Sequence, residues 1–118
     1  MKHELRLNNY VLFEGKIVTV KSIEFNPVTG KHFIRIEEDF RQIITDFLEP
    51  IPLTEELLVK CEGVKLAHYI NCYNVNGIQL TLKGDEFIEY VHQIPIKSLH
   101  QFQNFYFFTK QQELTINL

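Results

Sequence analysis

The sequence predicts a small α+β protein, in which a β-rich first half is followed by a half that mixes helices with antiparallel strands. Three observations carry this. Short β-branched and aromatic runs, separated by turn residues, fill residues 1–50. Near the middle, Glu49-Pro50-Ile51-Pro52-Leu53 holds an extended path that no helix can cross. Beyond it, two stretches carry helix-capping residues, with a hairpin between them. The 118 residues suit one compact unit, with a β-rich part over 1–50 and an α+β part over 51–118.

Taken in order, Tyr10-Val11-Leu12-Phe13 reads as a strand, Glu14-Gly15-Lys16 as a reversal, and Ile17-Val18-Thr19-Val20 as a second strand. The alternation shifts phase before Ile23 and Phe25, as one extra residue near Lys21-Ser22 would make it do in a β-bulge. Asn26-Pro27-Val28-Thr29-Gly30 is a turn cluster, and His32 to Glu37 forms the next strand. Glu38 to Glu49 fits a helical face, but Ile43-Ile44-Thr45 favours a short closing strand ending in a tight turn. Short bent strands joined by tight turns suit a small SH3-like barrel, and a plain meander is the alternative.

In the second half, Thr54 caps a short helix over Glu55–Glu62. Glu55 and Glu56 lie at the positive end of its dipole, and Leu53 and Leu58 form a hydrophobic staple. Gly63 offers the left-handed exit. Leu66 to Val75 reads as a strand, Asn76-Gly77 as a type I′ turn, and Ile78 to Leu82 as an alternating strand with Ile78, Leu80 and Leu82 inward. Gly84-Asp85 reverses the chain into a strand over Phe87–Val91. Ser98 and Gln101 form a capping-box pair at the start of an aromatic helix, and Leu114 to Leu118 suggests a final strand.

Composition narrows the function. The net charge is −3 and the charges are scattered, which disfavours a general nucleic-acid role that depends on phosphate neutralisation. No apolar run approaches the roughly 18–20 residues needed to span a bilayer, and Met1 to Arg6 lacks a signal-peptide core. Cys61 and Cys72 sit among apolar residues without metal or redox spacing, as reduced core cysteines of a cytoplasmic protein do. His3, His32, His68, His92 and His100 are dispersed, although His92 and His100 could meet across Ile94-Pro95-Ile96. Four metal ligands cannot be named, and no cofactor is implied. Of the two serines, Ser22 sits in no strand-to-helix elbow and Ser98 already serves as a cap. Glu37-Glu38-Asp39 and Glu55-Glu56 read as a solvated turn and a helix first turn. No catalytic residue emerges.

One feature stands apart. Phe105-Tyr106-Phe107-Phe108 sets aromatic rings around most of a helix whose inward face is Leu99, Phe102, Gln103 and Tyr106. At about 100° per residue, Phe108 points away from Leu99. Either the helix is covered on several sides, or Phe107 or Phe108 marks a dimer or partner surface.

The residues Glu49-Pro50-Ile51-Pro52-Leu53-Thr54-Glu55-Glu56-Leu57-Leu58-Val59-Lys60-Cys61 resemble the EPIPLTEELLLKCGF signature of small uncharacterised proteins from Bacteroidetes genomes and their phages and prophages. Leu99 to Phe107 is similar to that group's LHQLQNLYF signature, Glu113-Leu114-Thr115-Ile116 to its EELTI ending, and Leu5 to Val11 to its LRIGNYV start. Asn8-Asn9 replaces the group's Gly-Asn, and Lys110-Gln111 stands where a TGEE turn supplies Gly. The resemblance implies a lineage and no mechanism. It carries over His100, Gln101, Gln103 and Asn104, whose polar side chains on an aromatic helix suit a buried network or ligand contacts.

The expectation is therefore a non-catalytic binding or interaction module, such as a phage or prophage accessory protein, acting as a homo-oligomer or with a protein partner. A nucleic-acid module using the SH3-like half and a small-molecule or nucleotide binder are the alternatives.

Overall fold

Glu14 and Gly15 both adopt left-handed backbone, with φ of 52° and 76°, so the first hairpin closes through a two-residue turn. It joins β1 (Tyr10–Phe13) to β2 (Lys16–Asn26). The computed structural model describes residues 5–36 and 39–118, with the backbone alone at 39–41. The leader reading at the N-terminus, His3 and the solvated turn at Glu37-Glu38 fall on or include residues outside those described.

The chain divides into two compact units, Met1–Ile51 and Pro52–Leu118. The first is a five-stranded antiparallel sheet in the order β4-β3-β2-β1-β5, completed by β3 (Lys31–Ile36), β4 (Asp39–Ile44) and β5 (Leu48–Glu49). A bulge between Val20 and Ser22 divides β2, whose first part pairs with β1 and whose second part pairs with β3. The phase shift at Lys21-Ser22 is this bulge. Among the described residues, each strand supplies one buried residue to the core, Val11, Val20, Ile34, Ile43 and Leu48, with Phe13, Val18, Ile23 and Ile36 packed against them. A single 3-10 turn, Thr45–Phe47, reverses the chain between β4 and β5.

Asn9 fixes the entry to this sheet. It is fully buried, and its side-chain oxygen accepts from the Arg6 amide at 2.7 Å. Its carbonyl accepts from the Val20 amide at 2.9 Å, beside the bulge. Asn8, just before it, has φ of 73°. That left-handed position suits Gly best and Asn next.

In the second unit, Thr54 accepts from the Leu57 amide at 3.2 Å and caps α1 (Glu55–Lys60). The helix ends two residues before the expected Glu62. Glu62, with φ of 63°, takes the left-handed position that the sequence assigned to Gly63. The Glu62 amide donates to the Val59 carbonyl and the Gly63 amide to the Leu58 carbonyl, at 3.0 and 2.8 Å, which is a Schellman closure. Gly63 is required for a different reason. A Cβ there would lie 2.6 Å from the Leu58 carbonyl oxygen.

An antiparallel sheet in the order β10-β9-β8-β7-β6 follows, built from β6 (Val64–Lys65), β7 (Cys72–Val75), β8 (Ile78–Lys83), β9 (Glu86–Glu89) and β10 (Pro95–Ile96). The long strand expected over Leu66–Val75 is confined to its last four residues. Residues 67–71 form a turn that closes on Asn71, with φ of 57°, and Tyr69 and Ile70 stand exposed in it. Likewise β9 stops at Glu89 and not at Val91. Helix α2 (Leu99–Lys110) opens with the expected capping box of Ser98 and Gln101.

No final strand forms over Leu114–Leu118. Burial does alternate there, with Leu114 buried and Thr115 exposed, but the tail joins neither sheet. Its anchor is the Asn117 amide, which donates to the Lys60 carbonyl at the end of α1, 2.8 Å away.

Candidate functional site

Helix α2 sorts its residues sharply. Leu99, His100, Phe102, Gln103 and Tyr106 are buried, and Asn76 on the β7–β8 turn donates to the Tyr106 hydroxyl at 2.6 Å. Of the four polar residues carried over by resemblance, His100 and Gln103 lie in the interior. His100 Nδ1 is 3.2 Å from the Ser98 hydroxyl. Gln101 serves the helix start, its Oε1 accepting from the Lys97 and Ser98 amides at 2.9 and 3.2 Å. Asn104 is half-buried. Phe107 is half-buried too, whereas Phe108 is 77% exposed, with the two ring centroids 6.3 Å apart.

The loop beside this face escaped the sequence reading. Glu89 is only 3% exposed, yet its carboxylate accepts from the Val91 amide at 2.8 Å and the His92 amide at 2.7 Å. Its Oε2 also lies 3.1 Å from His92 Nδ1. A buried carboxylate needs such donors to offset its desolvation, and here they fix the loop that follows β9. The loop turns outward, with Tyr90 at 60% and Val91 at 74% exposure. The His92 ring meets Phe105 edge-on at 6.1 Å, which sets the loop against the outer face of α2. Phe105 and Phe108, three residues apart, are neighbours on that face. In the sequence, Val91 reads as the last residue of the strand from Phe87, and nothing marks this loop.

Other reactive groups are spent on structure. Cys61 and Cys72 are both buried and free. Burial pushes the Cys61 thiol up to about 12, which leaves almost no thiolate at neutral pH. The Tyr73 hydroxyl donates to Glu55 at the start of α1 and, held there and buried, is pushed up to about 12. Among the described residues no three His, Cys, Asp or Glu side chains converge as a metal site would require, and no helix is long and apolar enough to cross a membrane. His92 engages Glu89 and Phe105, while His100 lies in the interior.

No known protein family, curated protein or solved structure matches the chain.

Proposed function

We propose that this chain is a non-catalytic interaction module that self-associates through the outer face of α2. One observation carries the reading: Phe108 stands 77% exposed beside Phe107, on the face that Phe105 and His92 extend. Covering a Phe side chain is worth about 1.5–3 kcal/mol, so a contiguous set of such groups favours a partner. The Phe rings of this face carry no charge to select a charged partner. A second copy presenting the same face meets it with like chemistry, as in a two-fold dimer.

The strand order β4-β3-β2-β1-β5, the bulge in β2 and the 3-10 turn before β5 support an SH3-like framework for the first unit. The two free, buried cysteines support a reducing, cytoplasmic setting. The resemblance through Glu49–Cys61 and Leu99–Phe107 supports an accessory role in phage or prophage.

A dilution series followed by amide NMR tests the interface. The amides of Val91, His92, Phe105 and Phe108 should shift together as concentration falls from near-millimolar to micromolar. Invariant spectra, or shifts confined to other segments, contradict the proposal.

A further inference from the structure

The first unit holds an open cleft of about 420 Å³, lined by Leu12, Phe13, Glu14, Gly15, Phe47 and Glu49. Its walls follow from the sheet. Strand β1 lies between β2 and β5, so Leu12 faces Glu49 and Phe13 faces Leu48 across one ladder, while Glu14-Gly15 caps the other. Phe13 packs against the core and so gives the cleft a fixed aromatic wall. Phe47 ends the 3-10 turn with its side chain 66% exposed. Asp46, the residue before it, bonds Lys31 at 2.6 Å, which tethers that turn to β3.

Within the first unit, the carboxylates at this cleft differ from the other two described. Asp46 and Glu24 are paired with Lys31 and Arg35. Glu14 and Glu49 have no ion-pair partner among the described residues. Two unpaired carboxylates thus meet two phenyl rings, whose faces are themselves electronegative. Both features attract a cation and repel phosphate. The volume has room for a long cationic side chain and the residues beside it.

We propose that this cleft binds a Lys or Arg side chain presented by an extended segment of a partner protein. The site lies in the first unit and does not depend on self-association through α2. Lys16, exposed and opposite Phe13 in the register, places a cation beside the turn.

The test titrates the isotope-labelled full chain with a short capped peptide carrying two arginines, and with its glutamate counterpart. The arginine peptide should shift amides in Leu12–Gly15 and Phe47–Glu49, and added salt should weaken it. Phe47→Ala, and separately the Glu14→Gln, Glu49→Gln pair, should each lower affinity by about tenfold with the remaining spectrum unchanged. Lys16→Gln should raise it. No binding of the arginine peptide, equal binding of the glutamate peptide, or affinity untouched by these variants overturns the proposal.

Discussion

The Tyr73 hydroxyl on β7 donates to the Glu55 carboxylate in the first turn of α1, joining a strand to a helix 18 residues earlier in the chain. The bond makes Tyr73 a structural group that resists ionisation.

Its stability consequence has a definite sign. The Tyr73 hydroxyl is raised from 10.0 to about 12 in the folded chain, so between these values the unfolded chain releases the proton while the folded chain keeps it. The contribution is complete below pH 10 and is lost as pH rises through about 12. Ultraviolet titration should show a tyrosine step near pH 12. Tyr73→Phe should remove that late step, cost about 1 kcal/mol in urea unfolding at neutral pH, and flatten the alkaline loss.

The exit of α1 makes two substitutions, side by side, act in opposite directions. Glu62→Gly relieves a left-handed side-chain position and should stabilise by about 0.5–1 kcal/mol. Gly63→Ala drives a Cβ against the Leu58 carbonyl and should destabilise by about 2 kcal/mol or more. Gln111, which ends α2 at φ of 56°, should behave as Glu62 does when replaced by Gly. Urea midpoints of the three variants measure this.

Glu89→Gln exchanges one acceptor oxygen for an amide group facing backbone donors. It should cost about 2–3 kcal/mol and speed hydrogen exchange at the Val91 and His92 amides, while amides in β1 and β2 keep their protection. Uniform acceleration across both units would show that Glu89 is not acting locally.

How much of this was legible depends on whether the signal was local. Thr54, Ser98 with Gln101, Asn76-Gly77 and the phase slip at Lys21-Ser22 each declare a backbone geometry through chemistry within a few residues, and each appears where expected. The failures depend on contacts distant in sequence or on backbone geometry that residue type does not announce. Leu114–Leu118 has the period of a strand but pairs with no strand in either sheet. Residues 66–71 read as extended in the sequence, but 67–71 form a turn that ends on Asn71 in left-handed backbone. Gly63 invited assignment to the left-handed position because Gly is usual there, but its hydrogen atom in place of a side chain serves a close approach instead. In the candidate site, the buried face of α2 followed from the 3.6-residue period. The loop that Glu89 organises did not, because Phe87 to Val91 reads as one continuous strand and a charged residue within it reads as solvent-facing.

The central claim is that the chain self-associates through the face around Phe108, and sedimentation velocity of wild type beside Phe108→Ser tests it most directly. Phe108 is exposed, so its replacement leaves the fold intact, which circular dichroism checks. Wild type should show a monomer–dimer equilibrium that the substitution shifts to monomer throughout. A wild type that stays monomeric to near-millimolar concentration, or a Phe108→Ser chain that dimerises equally well, contradicts it.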